Sequence, residues 1–273
     1  MVMTEPNGHA VLSLPQLLAI SIAHCPESVA LTAAGERPLN YGRLGHHLAN
    51  MARALCALGI GRHDCVALAL PPGPELAVAF LAVASVAICA PLDPTCQAEE
   101  GDAYLTDLNA KALILPAGAE TAVYSAARTR GIPILKLAPV RGVEMGLFAL
   151  SGHTRFTPVT QTAAQPDDVA LVLYTSGRIW RQVRLTHAHL CHTARRIAAD
   201  LGLGPHHDPL NPMALPYIER FIEGCLASLA VGASVVYAPQ DETSQNYTWL
   251  SECRSAWSPC VPMPAAAPVP AVV

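Results

Sequence analysis

Through its first half the chain alternates stretches of helical periodicity with short apolar runs, the pattern of an α/β layer fold with a largely parallel sheet and flanking helices. Leu44, Leu48, Met51, Ala52, Leu55 and Leu58 recur at spacings that line one helical face, with Asn40 ahead of them as a cap and Gly59 as the stop. Residues 65–70 (CVALAL) read as a buried strand. The turn PPGPE leads from it into a helix expected from about Leu76. Residues 111–115 (KALIL), 121–130 and 132–137 then read as strand, helix and strand of one βαβ unit. The Gly-, Thr- and Pro-bearing stretch 140–167 reads as a connecting loop, and VALVLY, Val169–Tyr174, as the strand leaving it. Further on, helices are expected over 186–201 and 218–230, a loop over 202–212 and a strand over 233–237, and 244–254 closes the periodic part. Five prolines fall within 259–273, so that stretch is expected to be an irregular Pro/Ala/Val-rich tail.

Apolar residues make up 52 % of the chain and charged residues 14 %, where a soluble domain carries about 25 % charge. Such a composition suits either a compact enzyme with little polar surface or a body with an apolar face for a partner chain. A net charge of −4 without any basic run excludes nucleic acid as a bulk electrostatic partner and gives no attraction to a membrane surface. The apolar run 76–92 approaches the length of a membrane span. It is mostly Ala and Val, however, contains Ser85 and Pro91, and falls short of about 20 strongly apolar residues, so a buried helix is expected. Nine scattered cysteines without a CxxC pair read as small buried hydrophobes in a reducing compartment. With no secretory or peroxisomal signal in the sequence, a cytoplasmic location is expected.

The segment with chemical content is YTSGRIWRQVRLTH, 174–187. A strand entering a turn of small hydroxylated residues and glycine, with a helix beyond, suits an anion, because backbone N–H groups and hydroxyls converge on it. This is not a Walker-type GxxxxGK[ST] loop, and a TSG tripeptide alone is equally an ordinary Ser/Gly turn. Its surroundings make it specific. Tyr174, Thr175, Ser176 and Gly177 on the left, and Val183, Leu185, Thr186, His187 and Leu190 on the right, match the signature YTSGTTGxPKxVxLTHxNL. In this the chain resembles the adenylate-forming superfamily of AMP-forming acyl-CoA synthetases. Further stretches resemble it in the same order: NYGRL from Asn40, GIGRHDCVAL from Gly59, PPGPELAVAFLAV from Pro71, APLDP from Ala90 and CLASLAVGASVV from Cys225. The resemblance continues at TWLSECRSAW from Thr248, so that residues 1–258 are expected to be part of the amino-terminal domain of such an enzyme.

The resemblance implies a reaction in which a carboxylate attacks the α-phosphate of ATP, giving an acyl-adenylate that coenzyme A then captures. Catalysis of this kind rests on holding phosphates in line and stabilising charge with N–H donors, cations and Mg²⁺. It implies Thr175, Ser176, Gly177 and Arg181 as the residues of this chain facing ATP; none can be assigned a catalytic or metal-ligating role. The loop's centre departs from the signature. Two threonines are deleted, Arg178 stands for the second glycine, Trp180 for the proline and Arg181 for the lysine. Removing such donors from a preorganised anion site costs about 3 kcal/mol each, and an arginine fork does not replace an ammonium point charge. A second departure is MALPYIERF, 213–221, where the family commonly shows a segment like MPLFHIHGL. The acidic Mg²⁺ motif, the ribose-binding aspartate and the mobile domain with its adenylation lysine have no counterpart in the 273 residues.

The sequence therefore predicts a ligase by descent that does not complete the reaction alone. A reading of another class is a non-catalytic α/β module that binds a partner chain. A third is a chain disturbed by short insertions and deletions that does not fold stably. Of eleven histidines, His189 and His192 share a helical face, but no Cys or carboxylate completes a metal shell. His187 reads as a packing residue at a helix start, and no GxSxG elbow marks a hydrolase.

Overall fold

The structure, a computed structural model, describes residues 11–174, 181–205 and 222–237. It opens with helix α1 (Leu14–His24), whose first turn is closed by Ser13 N–H donating to Gln16 Oε1 at 2.8 Å. Strands β1 (Val29–Ala33) and β2 (Leu39–Asn40) lead into α2 (Tyr41–Ala57). Asn40 caps α2 as its residue type suggests, its side chain accepting from the Arg43 N–H at 2.8 Å. Tyr41, Leu44, Leu48, Ala52 and Leu55 are the face it buries.

Next come β3 (Cys65–Leu68), α3 (Pro74–Ala84), β4 (Ile88–Pro91), α4 (Ala98–Asp107), β5 (Ala112–Pro116), α5 (Ala122–Thr129) and β6 (Ile134–Pro139). The apolar run 76–92 is thus not one helix. It is the body of α3, a break at Ser85, whose hydroxyl donates to the Ala82 carbonyl at 2.6 Å, and a buried strand. Among the described residues no helix is long and apolar enough to cross a membrane.

The stretch 140–167 holds a strand, β7 (Phe148–Ser151), paired antiparallel to β6. After β8 (Val169–Tyr174) comes a second strand not expected from the sequence, β9 (Gln182–Thr186), and only then α6 (His187–Asp200). A π-helical turn (Ile222–Leu226), the short helix α7 (Ala227–Ala230) and β10 (Val235–Tyr237) complete the described chain. The stretches 206–221 and 238–273, which include MALPYIERF, residues 244–254 and the proline-rich tail, lie outside the described residues.

The main sheet has the order β7-β6-β5-β3-β4-β8-β9, with five parallel strands in the middle and an antiparallel strand at each edge. Its central strands are apolar on both faces, as strands covered on both sides must be. Val66, Leu68, Ile114, Leu135 and Leu171 face one core with α1, α2, α3 and α6. Cys65, Ala67, Leu113, Leu115 and Val172 face the other, where α4 and α5 supply Leu105, Leu108, Val123 and Ala127. The second sheet, β10-β1-β2, shares the first core through Leu31, Leu39 and Val235.

Candidate functional site

Neighbouring strands β3 and β4 send their following helices to opposite faces, α3 to one and α4 to the other. Their connections diverge beyond the carboxyl ends of the strands, the type of crevice in which open α/β sheets hold ligands. Strand β8 lies beside β4 and runs parallel to it, so the segment leaving Tyr174 starts on this side of the sheet. Of the four residues expected to face ATP, Thr175, Ser176 and Gly177 lie outside the described residues, as do 178–180. Arg181 is exposed and immediately precedes β9.

The described residues fix how this loop is mounted. Tyr174 pairs with Gln182, Leu173 with Val183, Val172 with Arg184 and Leu171 with Leu185. Strands β8 and β9 are therefore an antiparallel pair joined through 175–181, and α6 begins at the far end of β9, where Thr186 pairs with Val169. This corrects the strand–turn–helix layout read from the sequence. Five strand residues at about 3.3 Å each put roughly 16 Å between Gln182 and the N-terminus of α6. Thr186 caps that helix, accepting from the His189 N–H at 3.2 Å.

The neck of the loop is tied to α4. The Tyr174 hydroxyl donates to Asp107 Oδ2 at 2.8 Å, and Gln182 Nε2 donates to the same oxygen at 2.8 Å, to the Asp107 carbonyl at 3.2 Å and to the Tyr174 oxygen at 3.2 Å. The Tyr174 ring rests on Tyr104, with centroids 4.4 Å apart, and Tyr104 donates to Glu100 at 2.7 Å. Burial, together with the Asp107 carboxylate, holds the Tyr174 phenol above its usual pKa, so it is a hydrogen-bond donor at neutral pH. This arrangement was not read from the sequence, because Asp107 lies 67 positions from Tyr174 and no local pattern joins them.

His187 is a packing residue, as its position suggested. It is buried, and its Nδ1 accepts from the Leu14 N–H at 3.3 Å, which places the ring proton on Nε2. Burial lowers its pKa to about 4, with Asp168 opposing. Asp168 itself is engaged by Arg62 in a two-pronged pair at 2.7 and 2.8 Å. Among the described residues no group of three or more His, Cys, Asp or Glu side chains converges as a metal site. Seven cysteines are described; no two of them form a disulfide, and all but Cys25 are buried.

A cavity of about 380 Å³ lies under the amino-terminal ends of β3 to β6, lined by Asp64, Cys65, Ile88, Lys111, Phe156 and Arg184 among others. Its lysine is already neutralised by Asp64 at 2.8 Å and stacked over Phe156. It touches the hairpin through Arg184, which donates to Gln182 Oε1 at 3.3 Å.

Together these elements define an α/β protein with a largely parallel seven-stranded sheet covered by helices on both faces. The chain belongs to the AMP-binding enzyme family, whose model matches residues 18–263. It is 31 % identical over 260 residues to a probable CoA ligase (CCL9) of Humulus lupulus, covering 92 % of this chain and 49 % of that protein. It is 29 % identical to an oxalate–CoA ligase of Arabidopsis thaliana, covering 87 % of this chain and 48 % of that one. Among solved structures, apo MatB from Rhodopseudomonas palustris superimposes with a TM-score of 0.73 at 18 % identity, over 90 % of this chain and 49 % of its own. The ATP-bound form of that protein gives 0.72. The chain thus spans about half the length of the relatives it matches.

Proposed function

We propose that this chain is a portion of an AMP-forming acid–CoA ligase whose phosphate loop has been rewritten, and that on its own it does not form an acyl-adenylate. The observation that carries this reading is the hairpin. Tyr174 and the strand Gln182–Thr186 keep the family residues in register, while the seven residues between, 175–181, are two fewer than the signature provides. The shortening is therefore confined to the part that would hold phosphate.

ATP and Mg²⁺ are the cofactors that this descent implies, coenzyme A the acceptor and a carboxylic acid the substrate. The donor set fits ATP only in part. Thr175 and Ser176 hydroxyls, the Gly177 N–H and the Arg181 guanidinium are the groups we assign to it, without the two threonines, the second glycine or the lysine of the signature. In the same reading, residues 1–258 are the ligase-derived part, 259–273 a tail, and the protein acts in the cytoplasm.

The partner-module reading draws no support from the described surface. The exposed large apolar residues there, Ile20, Val29, Val140, Phe156, Val159 and Val183, belong to five separate segments.

The test is direct. Purified chain with Mg²⁺–ATP and either oxalate or sulfoacetate, the acids named for two relatives, is expected to release no pyrophosphate and form no acyl-AMP; formation of either product overturns the reading. A Mg²⁺–ATP titration by thermal shift then reports whether the altered loop still binds, because a ligand of the folded state alone raises the melting temperature.

A further inference from the structure

We infer that Asp107 is a positioning residue for the neck of the β8–β9 pair, holding Tyr174 and Gln182, the residues that flank 175–181, at a fixed separation by binding both. The inference rests on reading 175–181 as the phosphate-binding element. Tyr174 is the last residue of β8 and Gln182 the first of β9, and they are a cross-strand pair. Their polar ends meet on one carboxylate oxygen, at 2.8 Å each, and on each other at 3.2 Å. The phenol donates to Asp107, and the two amide protons of Gln182 are shared among Asp107 Oδ2, the Asp107 carbonyl and the phenol oxygen.

The carboxylate comes from the last turn of α4, a helix anchored in the core by Leu105 and Leu108, so the neck is fixed to a rigid element and not only to its own hairpin. A hairpin end next to the sheet edge would otherwise fray, since β9 has one paired side and a largely exposed surface. Gln182 also accepts from Arg184 at 3.3 Å, which orients its amide with the nitrogen toward Asp107.

The experiment is hydrogen exchange on the full chain, comparing the neck residues 171–174 and 182–185 with β3 and β5. Asp107→Asn is expected to speed exchange in the neck roughly tenfold, the equivalent of one charge-assisted hydrogen bond, and to leave β3 and β5 unchanged. Gln182→Ala is expected to act similarly, the double variant to add little to either, and Asp107→Glu, which keeps the carboxylate, to restore most of the protection. Unchanged neck exchange in Asp107→Asn, additive effects, or equal acceleration in β3 and β5 would overturn the inference. Asp102→Asn, on the same helix but paired with Arg130, controls for a general weakening of α4. The Mg²⁺–ATP titration is read separately: absence of binding to the wild type removes the phosphate reading of the loop, whereas the exchange result decides the role of Asp107.

Discussion

At the scale of single residues, His187 shows how a family-signature position can be structural. Its neutral ring is enclosed against the start of α1, with Nδ1 occupied by the Leu14 N–H, so a proton on that nitrogen would both break the bond and bury a charge. The sign of the pH effect follows. The folded-state pKa, about 4, lies below the roughly 6.5 of an unfolded histidine. Above pH ~6.5 both states are neutral and the stabilisation is fully present. Between ~6.5 and ~4 the unfolded chain takes a proton that the folded one refuses, and stability falls by on the order of 1–3 kcal/mol. Urea midpoints at pH 7, 5.5 and 4.5 are expected to fall more steeply for wild type than for His187→Gln, whose side chain does not titrate. Equal slopes would remove His187 from the acid response. The sequence marks this residue as packing by its place at a helix start. It did not announce the partner, since α1 is 173 positions away.

At the scale of elements, legibility tracks whether the signal is local. The cap at Asn40, the stop at Gly59, the helix read over 121–130 and the strand Val169–Tyr174 fall where residue type and apolar periodicity place them, Thr121 being the cap of that helix and not its first residue. The run 76–92 could not be divided from sequence, because an all-apolar stretch has no period to lose; the helix–strand boundary there is set by burial against two different layers. Strands β7 and β9 were missed because they are edge strands of four and five residues with mostly exposed or half-exposed positions, held by register to β6 and β8. Missing β9 also misplaced the helix N-terminus relative to the loop.

Gly59 belongs to this scale as well, because it ends α2 at φ +77° and receives the long connection before β8. A methyl group on it would lie 2.5 Å from Phe156 Cβ and 2.6 Å from the Thr157 carbonyl. Gly59→Ala is expected to cost roughly 2–4 kcal/mol in a denaturant titration, strain and clash together. Gly118→Ala has a similar φ of +84° but open space around it, and is expected to cost about 1 kcal/mol, the backbone strain alone. Similar values for the two would show that the connection yields and does not press on α2.

At the scale of the whole molecule, the sequence predicted layers but not their order. Strand order β7-β6-β5-β3-β4-β8-β9 requires β8 to cross back beside β4, and no local pattern encodes a neighbour 80 residues away. What enforces it is the shared core: α3 is buried along its whole length from Leu76 to Ala84, and the same cluster takes Leu31, Leu39 and Val235 from the smaller sheet and Val66, Ile114 and Leu171 from the larger. Two sheets that share one apolar cluster are expected to unfold together. Phe80, 1 % exposed in α3, therefore tests the coupling. Phe80→Ala is expected to cost about 3–5 kcal/mol and to lower the protection of slow-exchanging amides in β1 and in β5 together, by the same free energy. If β5 alone lost protection while β1 kept it, the smaller sheet would be a separate cooperative unit. The order of the large sheet would then rest on the α3 contacts with β3 and β4 and not on the core as a whole.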